Sequence, residues 1–79
     1  MAKRRSSLTV RIGLELADRR KAAGISQEAF ASACGLHRTY VSQLERGLKA
    51  PTVTTLEAVA NVLQVAVSEI VAAAETRKG

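Results

Sequence analysis

The sequence predicts an all-α domain, a compact bundle of five short helices. Three observations lead there. Leu8, Ile12 and Leu16 recur every four residues, and Leu56, Val59, Ala60 and Leu63 repeat the helical spacing further on. Polar capping residues, Ser7 and Thr52, precede these stripes, and Gly24 follows the first. Between them, Ala31, Gly35, Val41 and Leu44 have the spacing that two short helices need to cross around a sharp turn.

The first helix carries the Leu8, Ile12, Leu16 stripe, with Ser7 able to cap its start and Gly24 placed to end it. Ser26 is a good N-cap for the second, whose first turn holds Gln27 and Glu28. Ala29, Phe30, Ala33 and Cys34 are its expected buried stripe. Ala31 lets the next helix approach, and Gly35 can take the positive backbone torsion that closes a helix. A third helix is expected over about residues 38–46, stopped by Gly47, with Val41 and Leu44 on its apolar edge. After the loop Leu48-Lys49-Ala50-Pro51, Thr52 caps a fourth helix. A break near residues 64–66 leads to a fifth helix holding Ser68, Glu69, Ile70 and Val71. Val62, Val65 and Val67 favour a strand by propensity, but they stand between two helical stripes. The expected organisation is a basic arm over residues 1–7, one domain over 8–75, and a polar, frayed tail over 76–79.

With 79 residues the chain makes one small domain. Such a domain hides only about 60% of the surface its unfolded chain exposes, so a second copy would add useful burial. Val62, Val65, Val67 and Val71 exceed what the core can take beside Leu56, Val59, Leu63 and Ile70, and form a candidate self-association face. Scattered surface valines are the plainer alternative. The net charge of +5 suits an acidic partner, above all nucleic acid. The single cysteine, Cys34, excludes an intrachain disulfide and reads as a buried structural thiol. No run reaches the roughly 20 apolar residues of a membrane span. Lys3-Arg4-Arg5 leads into polar residues rather than a signal-peptide core, so a cytoplasmic protein is expected. Glu15 with Asp18, and Glu69 with Glu75, read as helix-face charges; Ser26, Ser42 and His37 suggest no triad, and no phosphate loop is present. One histidine and one cysteine do not make a metal site. No catalysis, metal, cofactor or small-molecule ligand is implied.

The free edge of the third helix carries His37, Arg38, Thr39, Ser42 and Gln43. Nearly all can hydrogen-bond to a base edge. A merely solvated face would carry more Lys and Glu.

The stretch Gly24-Ile25-Ser26-Gln27-Glu28 through Leu44-Glu45-Arg46-Gly47, with Pro51-Thr52 and Leu56 beyond, resembles the XRE-type helix-turn-helix family of phage repressors and Cro proteins. The resemblance covers about residues 8–71 and implies a lambda-repressor-like fold. Within the family, Arg38-Thr39-Tyr40-Val41-Ser42 with Leu44-Glu45-Arg46 is most similar to controller proteins of restriction-modification systems. The resemblance implies that the third helix enters the major groove and that Arg38, Thr39, Ser42 and Gln43 face the bases. Arg38 matches the two acceptors of guanine, Thr39 a thymine methyl, and Gln43 an adenine or a phosphate. His37 stands where the family often has a Ser or Thr cap; a surface histidine and a DNA contact are equally open. Gln27 resembles the family's phosphate clamp, at a helix N-terminus that suits an anion. Tyr40, Arg46 and Lys49 are further candidate phosphate contacts, with plain solvated charge the alternative for the last two. An acid on a reading helix repels phosphate unless paired, and the family pairs this position with the first helix. Here that implies a structural Arg20–Glu45 ion pair. Lys3-Arg4-Arg5 is either a DNA-contacting arm or a solvated tail.

The function so implied is a sequence-specific transcription regulator. It would bind double-stranded DNA as a homodimer on a roughly palindromic operator. The alternatives are an antitoxin or phage-type repressor using the same domain, and a protein-interaction module without DNA function.

Overall fold

The computed structural model describes residues 7–78, residue 7 by its backbone alone. The expected arm at Lys3-Arg4-Arg5 and the expected cap by the Ser7 side chain lie outside the described residues. Five α-helices follow in order: α1 (Ser7–Ala22), α2 (Gln27–Cys34), α3 (Arg38–Glu45), α4 (Val53–Leu63) and α5 (Val67–Thr76). No strand forms among the described residues. Ser26 caps α2 by accepting from the Ala29 N–H at 3.1 Å, and Thr52 caps α4 by accepting from the Thr55 N–H at 3.0 Å. At α5 the cap is reversed: the Glu69 carboxylate accepts from the Ala66 N–H at 3.0 Å.

Four helices stop in one way. Beyond α1, the Gly24 N–H donates to the Lys21 carbonyl at 2.9 Å and the Ile25 N–H to the Arg20 carbonyl at 3.2 Å. Gly35 with Leu36, and Gly47 with Leu48, repeat the pattern after α2 and α3. Beyond α4 it is built on Gln64, the one described residue other than glycine with a positive φ, at 60°. A side chain in that conformation costs about 1–2 kcal/mol.

The helices pack in a ring: α1 on α3, α3 on α2, α2 on α4, α4 on α5, and α5 back on α1. Leu16, Phe30, Val41, Leu44, Val59 and Ile70 fill the centre, fully buried. Each such side chain stabilises the fold by about 1.5–3 kcal/mol. On α2 the buried face is Phe30 and Ala31, with Cys34 half-buried. The expected stripe is corrected at Ala29 and Ala33, which are exposed. At about 100° per residue, Ala29 lies about 150° and Ala33 about 110° from the centre of the face that Phe30 and Ala31 bury. Cys34 is therefore a half-buried thiol rather than a fully buried one, and burial still pushes its pKa up.

Val62, Val65, Val67 and Val71, the candidate self-association face, are all half-buried against the edge of the core. The bend of 99° between α4 and α5 gives the core a long seam there, which the valines line. The large apolar residues that stand exposed are Leu14, Leu48 and Val53.

Thr76 and Arg77 are held in place where fraying was expected. Thr76 belongs to α5, and Arg77 pairs with Glu15 at 2.8 Å and Asp18 at 2.6 Å on α1. The Asp18 carboxyl is held below the usual carboxylate range by its hydrogen bond from Arg77. From α1, Arg11 donates to the carbonyls of Ala74 at 3.2 Å and Glu75 at 2.9 Å, filling acceptors that the end of α5 leaves open.

Helix α1 crosses α3 closely at Gly13. A Cβ added at Gly13 would stand 2.3 Å from the Leu44 carbonyl oxygen and 2.9 Å from that of Glu45. Gly13→Ala gains about 1 kcal/mol of helix propensity but forces backbone apart at a cost of about 1–3 kcal/mol or more. The expected net result is a melting temperature lower by several degrees; an equal or higher one would show that α1 does not seat on α3 this closely. Gln64→Gly relieves the left-handed turn and is expected to raise stability by about 0.5–1 kcal/mol in urea denaturation. A loss instead would mean that the Gln64 side chain contributes contacts worth more than the strain.

Candidate nucleic-acid interface

Three helix ends meet in a buried polar node. The Arg20 Nε donates to Glu45 Oε2 at 2.6 Å and its Nη2 to Oε1 at 3.0 Å, a two-point pairing of guanidinium and carboxylate. Arg20 Nη1 donates to the Ile25 carbonyl at 2.7 Å, and Gln27 Nε2 to Glu45 Oε1 at 2.9 Å. The node joins the last turn of α1, the α1–α2 turn, the first residue of α2 and the last of α3. Arg20 is 8% exposed and Glu45 9%, so both charges are largely removed from water. The hydrogen bonds to Glu45 outweigh burial and push the Arg20 pKa up, so the guanidinium stays charged.

This node and the Gly13 crossing fix how α3 sits. With Val41, Leu44 and Glu45 turned inward, the start of α3 is left to solvent. His37, Arg38 and Thr39 are exposed there, and Ser42 and Gln43 follow half-buried along the helix. His37 is the N-cap residue, but its side chain makes no capping hydrogen bond. The first N–H groups of α3 thus lack the side-chain cap that Ser26 and Thr52 supply elsewhere, and the positive end of the helix dipole faces outward.

The other candidate contacts are placed as follows. Tyr40 is half-buried; Arg46 and Lys49 are exposed beyond the far end of α3. The Arg46 Nε lies 3.4 Å from the Ser42 carbonyl, a long contact to the negative end of the helix. Gln27 is half-buried, its side-chain nitrogen engaged by Glu45. Among the described residues no cluster of three His, Cys, Asp or Glu side chains could hold a metal. No single described helix is long and apolar enough to cross a membrane.

The profile of the helix-turn-helix family matches residues 16–70, which span the node and all of α2, α3 and α4. The chain belongs to this XRE-type helix-turn-helix family. It is 38% identical over 60 residues to an uncharacterised HTH-type transcriptional regulator of Sinorhizobium fredii, covering 76% of this chain and 78% of that one. Among solved structures it resembles the restriction-modification controller protein C.AhdI of Aeromonas hydrophila. The TM-score is 0.79 at 32% identity, covering 82% of this chain and 98% of the other. SinR, the master regulator for biofilm formation, solved in complex with DNA, superimposes with a TM-score of 0.72 at 35% identity, over 75% of this chain and 95% of that one.

Two features of the site carry a weak or absent sequence signal. Gly13 stands alone inside a helical stripe, a pattern that points to close packing without saying against what. The hydrogen bond from Gln27 to Glu45 spans 18 residues and depends on the α2–α3 turn being already built. Arg20→Ala leaves Glu45 buried without its counter-charge and is expected to cost about 3–5 kcal/mol, enough to unfold much of a small domain. Arg19→Ala, which breaks an i,i+4 pair with Glu15, is expected to cost no more than about 0.5 kcal/mol. Chemical denaturation of both variants checks the contrast; equal losses would mean that the node contributes no more than a surface pair.

Proposed function

We infer that this chain is a sequence-specific DNA-binding transcription regulator. It acts as a homodimer on a roughly palindromic operator and serves as the controller protein of a restriction-modification system. The observation that carries the reading is the exposed polar start of α3, His37-Arg38-Thr39, on a helix whose other side is locked into the core. A helix held in that way can enter a major groove N-terminus first. The likeness to C.AhdI supports the controller role, and the likeness to SinR supports a DNA partner.

Each residue then has a task. Arg38 reads guanine through O6 and N7; Thr39, Ser42 and Gln43 supply a methyl contact and hydrogen bonds, and His37 stands beside them at the groove edge. Gln27, Tyr40, Arg46 and Lys49 hold phosphates and so set orientation without reading sequence. The half-buried valines along the α4–α5 seam, Val62, Val65, Val67 and Val71, form the contact with the second copy. Two copies set their reading helices about 34 Å apart, one turn of duplex. The dimer, rather than a small-molecule inducer, then makes the response depend on protein concentration.

A gel-shift titration on the DNA upstream of the gene, with excess random DNA as competitor, tests the reading. A discrete, competitor-resistant complex is expected. Arg38→Ala should lower the preference for operator over random DNA by roughly 10–100-fold, the value of one good bidentate base contact. Unchanged preference would remove Arg38 from base readout. Binding that the competitor abolishes would count against a sequence-specific regulator.

A further inference from the structure

We propose that Glu45, an acid on the reading helix, is a positioning residue for DNA binding because it aims the Gln27 side chain. This inference rests on the DNA-binding reading above.

An ionised carboxylate only accepts hydrogen bonds. A glutamine facing it has one possible orientation, with its NH2 inward. Glu45 Oε1 takes that NH2 at 2.9 Å, and the same oxygen accepts from Arg20 at 3.0 Å. Arg20 in turn is anchored to the Ile25 carbonyl at 2.7 Å and to Glu45 Oε2 at 2.6 Å. The acceptor is therefore held in place from behind by a group that cannot lose its charge. Gln27 is held at the first residue of α2, with one amide N–H spent on Glu45 and the second left to donate.

That second N–H has company. Ser26 satisfies the N–H groups of Ala29, through its hydroxyl, and of Phe30, through its carbonyl. The N–H groups of Gln27 and Glu28 have no acceptor among the described residues. The fixed amide and these two backbone donors suit one phosphate oxygen cluster of the duplex backbone. A free glutamine would sample other rotamers and both amide orientations, and ordering it on contact would cost affinity. Glu45 removes that cost in advance.

The sign of one substitution separates this from simple electrostatics. Removing an acid near DNA should tighten binding if only charge mattered. Glu45→Gln instead turns the side chain into one with a single acceptor oxygen. Arg20 Nε, whose bond to Oε2 is the shorter at 2.6 Å, claims it and leaves the NH2 at the Oε1 position. The new NH2 then meets Gln27 and reverses its amide. The expected result, on protein shown by circular dichroism to be folded at the working temperature, is binding weaker by about tenfold on operator and random DNA alike. Gln27→Ala should weaken binding by a similar factor, and in that background Glu45→Gln should have no further weakening effect. Arg20→Lys keeps the carboxylate charged and in contact with Gln27, so it should lower the melting temperature yet leave affinity within about twofold.

Tighter binding by Glu45→Gln, or independent losses from the two substitutions, would overturn the proposal. If Glu45→Gln does not fold, the Gln27 side-chain amide of the wild type gives the answer by NMR. DNA should shift its outward proton while the proton on Glu45 keeps its position. An unmoved side-chain amide alongside a saturated complex would also overturn it. A wild type that binds no DNA in the first titration sinks the regulator reading and this inference together; a wild type that binds with independent losses sinks this inference alone.

Discussion

The structure depends on burying one ion pair well. Taking Arg20 and Glu45 out of water costs several kcal/mol for each charge, which a bare contact between them would not reliably recover. The cost is offset because Glu45 accepts at both oxygens and Arg20 reaches a backbone carbonyl as well. No buried side-chain nitrogen or oxygen among the described residues is left without a partner. Such a network stabilises little beyond what an apolar core would, but it admits one arrangement of α1, α2 and α3. An apolar patch of equal area could slide; a two-point pair with directional bonds cannot.

The second constraint is backbone geometry. Gly13 brings α1 against the last carbonyls of α3, and left-handed residues just beyond α1, α2, α3 and α4 turn the chain out of each helix. The α1–α2, α2–α3 and α4–α5 connections, residues 23–26, 35–37 and 64–66, are short and leave those helices little slack. On the far side, Arg11 and Arg77 bind α1 to the end of α5 through backbone carbonyls and carboxylates.

Local chemistry made much of this legible in the sequence. Ser26, Thr52, Gly24, Gly35 and Gly47 act within four residues of themselves, so their roles could be read from their immediate neighbours. The five helices follow from those signals and the apolar spacing. The Arg20–Glu45 pairing came from family resemblance, since nothing local joins residues 25 apart. What escaped was the rotation of faces and the contacts that close last. Ala29 and Ala33 are apolar but small, and in an eight-residue helix they cannot outvote Phe30 for the core. The four valines exceed what the core can take on the sequence pattern, and the seam between α4 and α5, bent by 99°, gives each a half-buried place. Arg11 and Arg77 meet partners more than 60 residues away, beyond the reach of any spacing rule.

The ring in which the helices pack has a consequence for motion. Every helix is held by two others, and none hangs from a single contact. Loosening one strips support from both neighbours, so partial opening exposes core on two sides and the domain should unfold as one cooperative unit. The same closure leaves α3 without a hinge of its own. If α3 reads DNA as proposed, the match must come from side-chain rotamers and deformation of the duplex, and a duplex that bends readily at the right steps would fit it better than a stiff one with identical base edges.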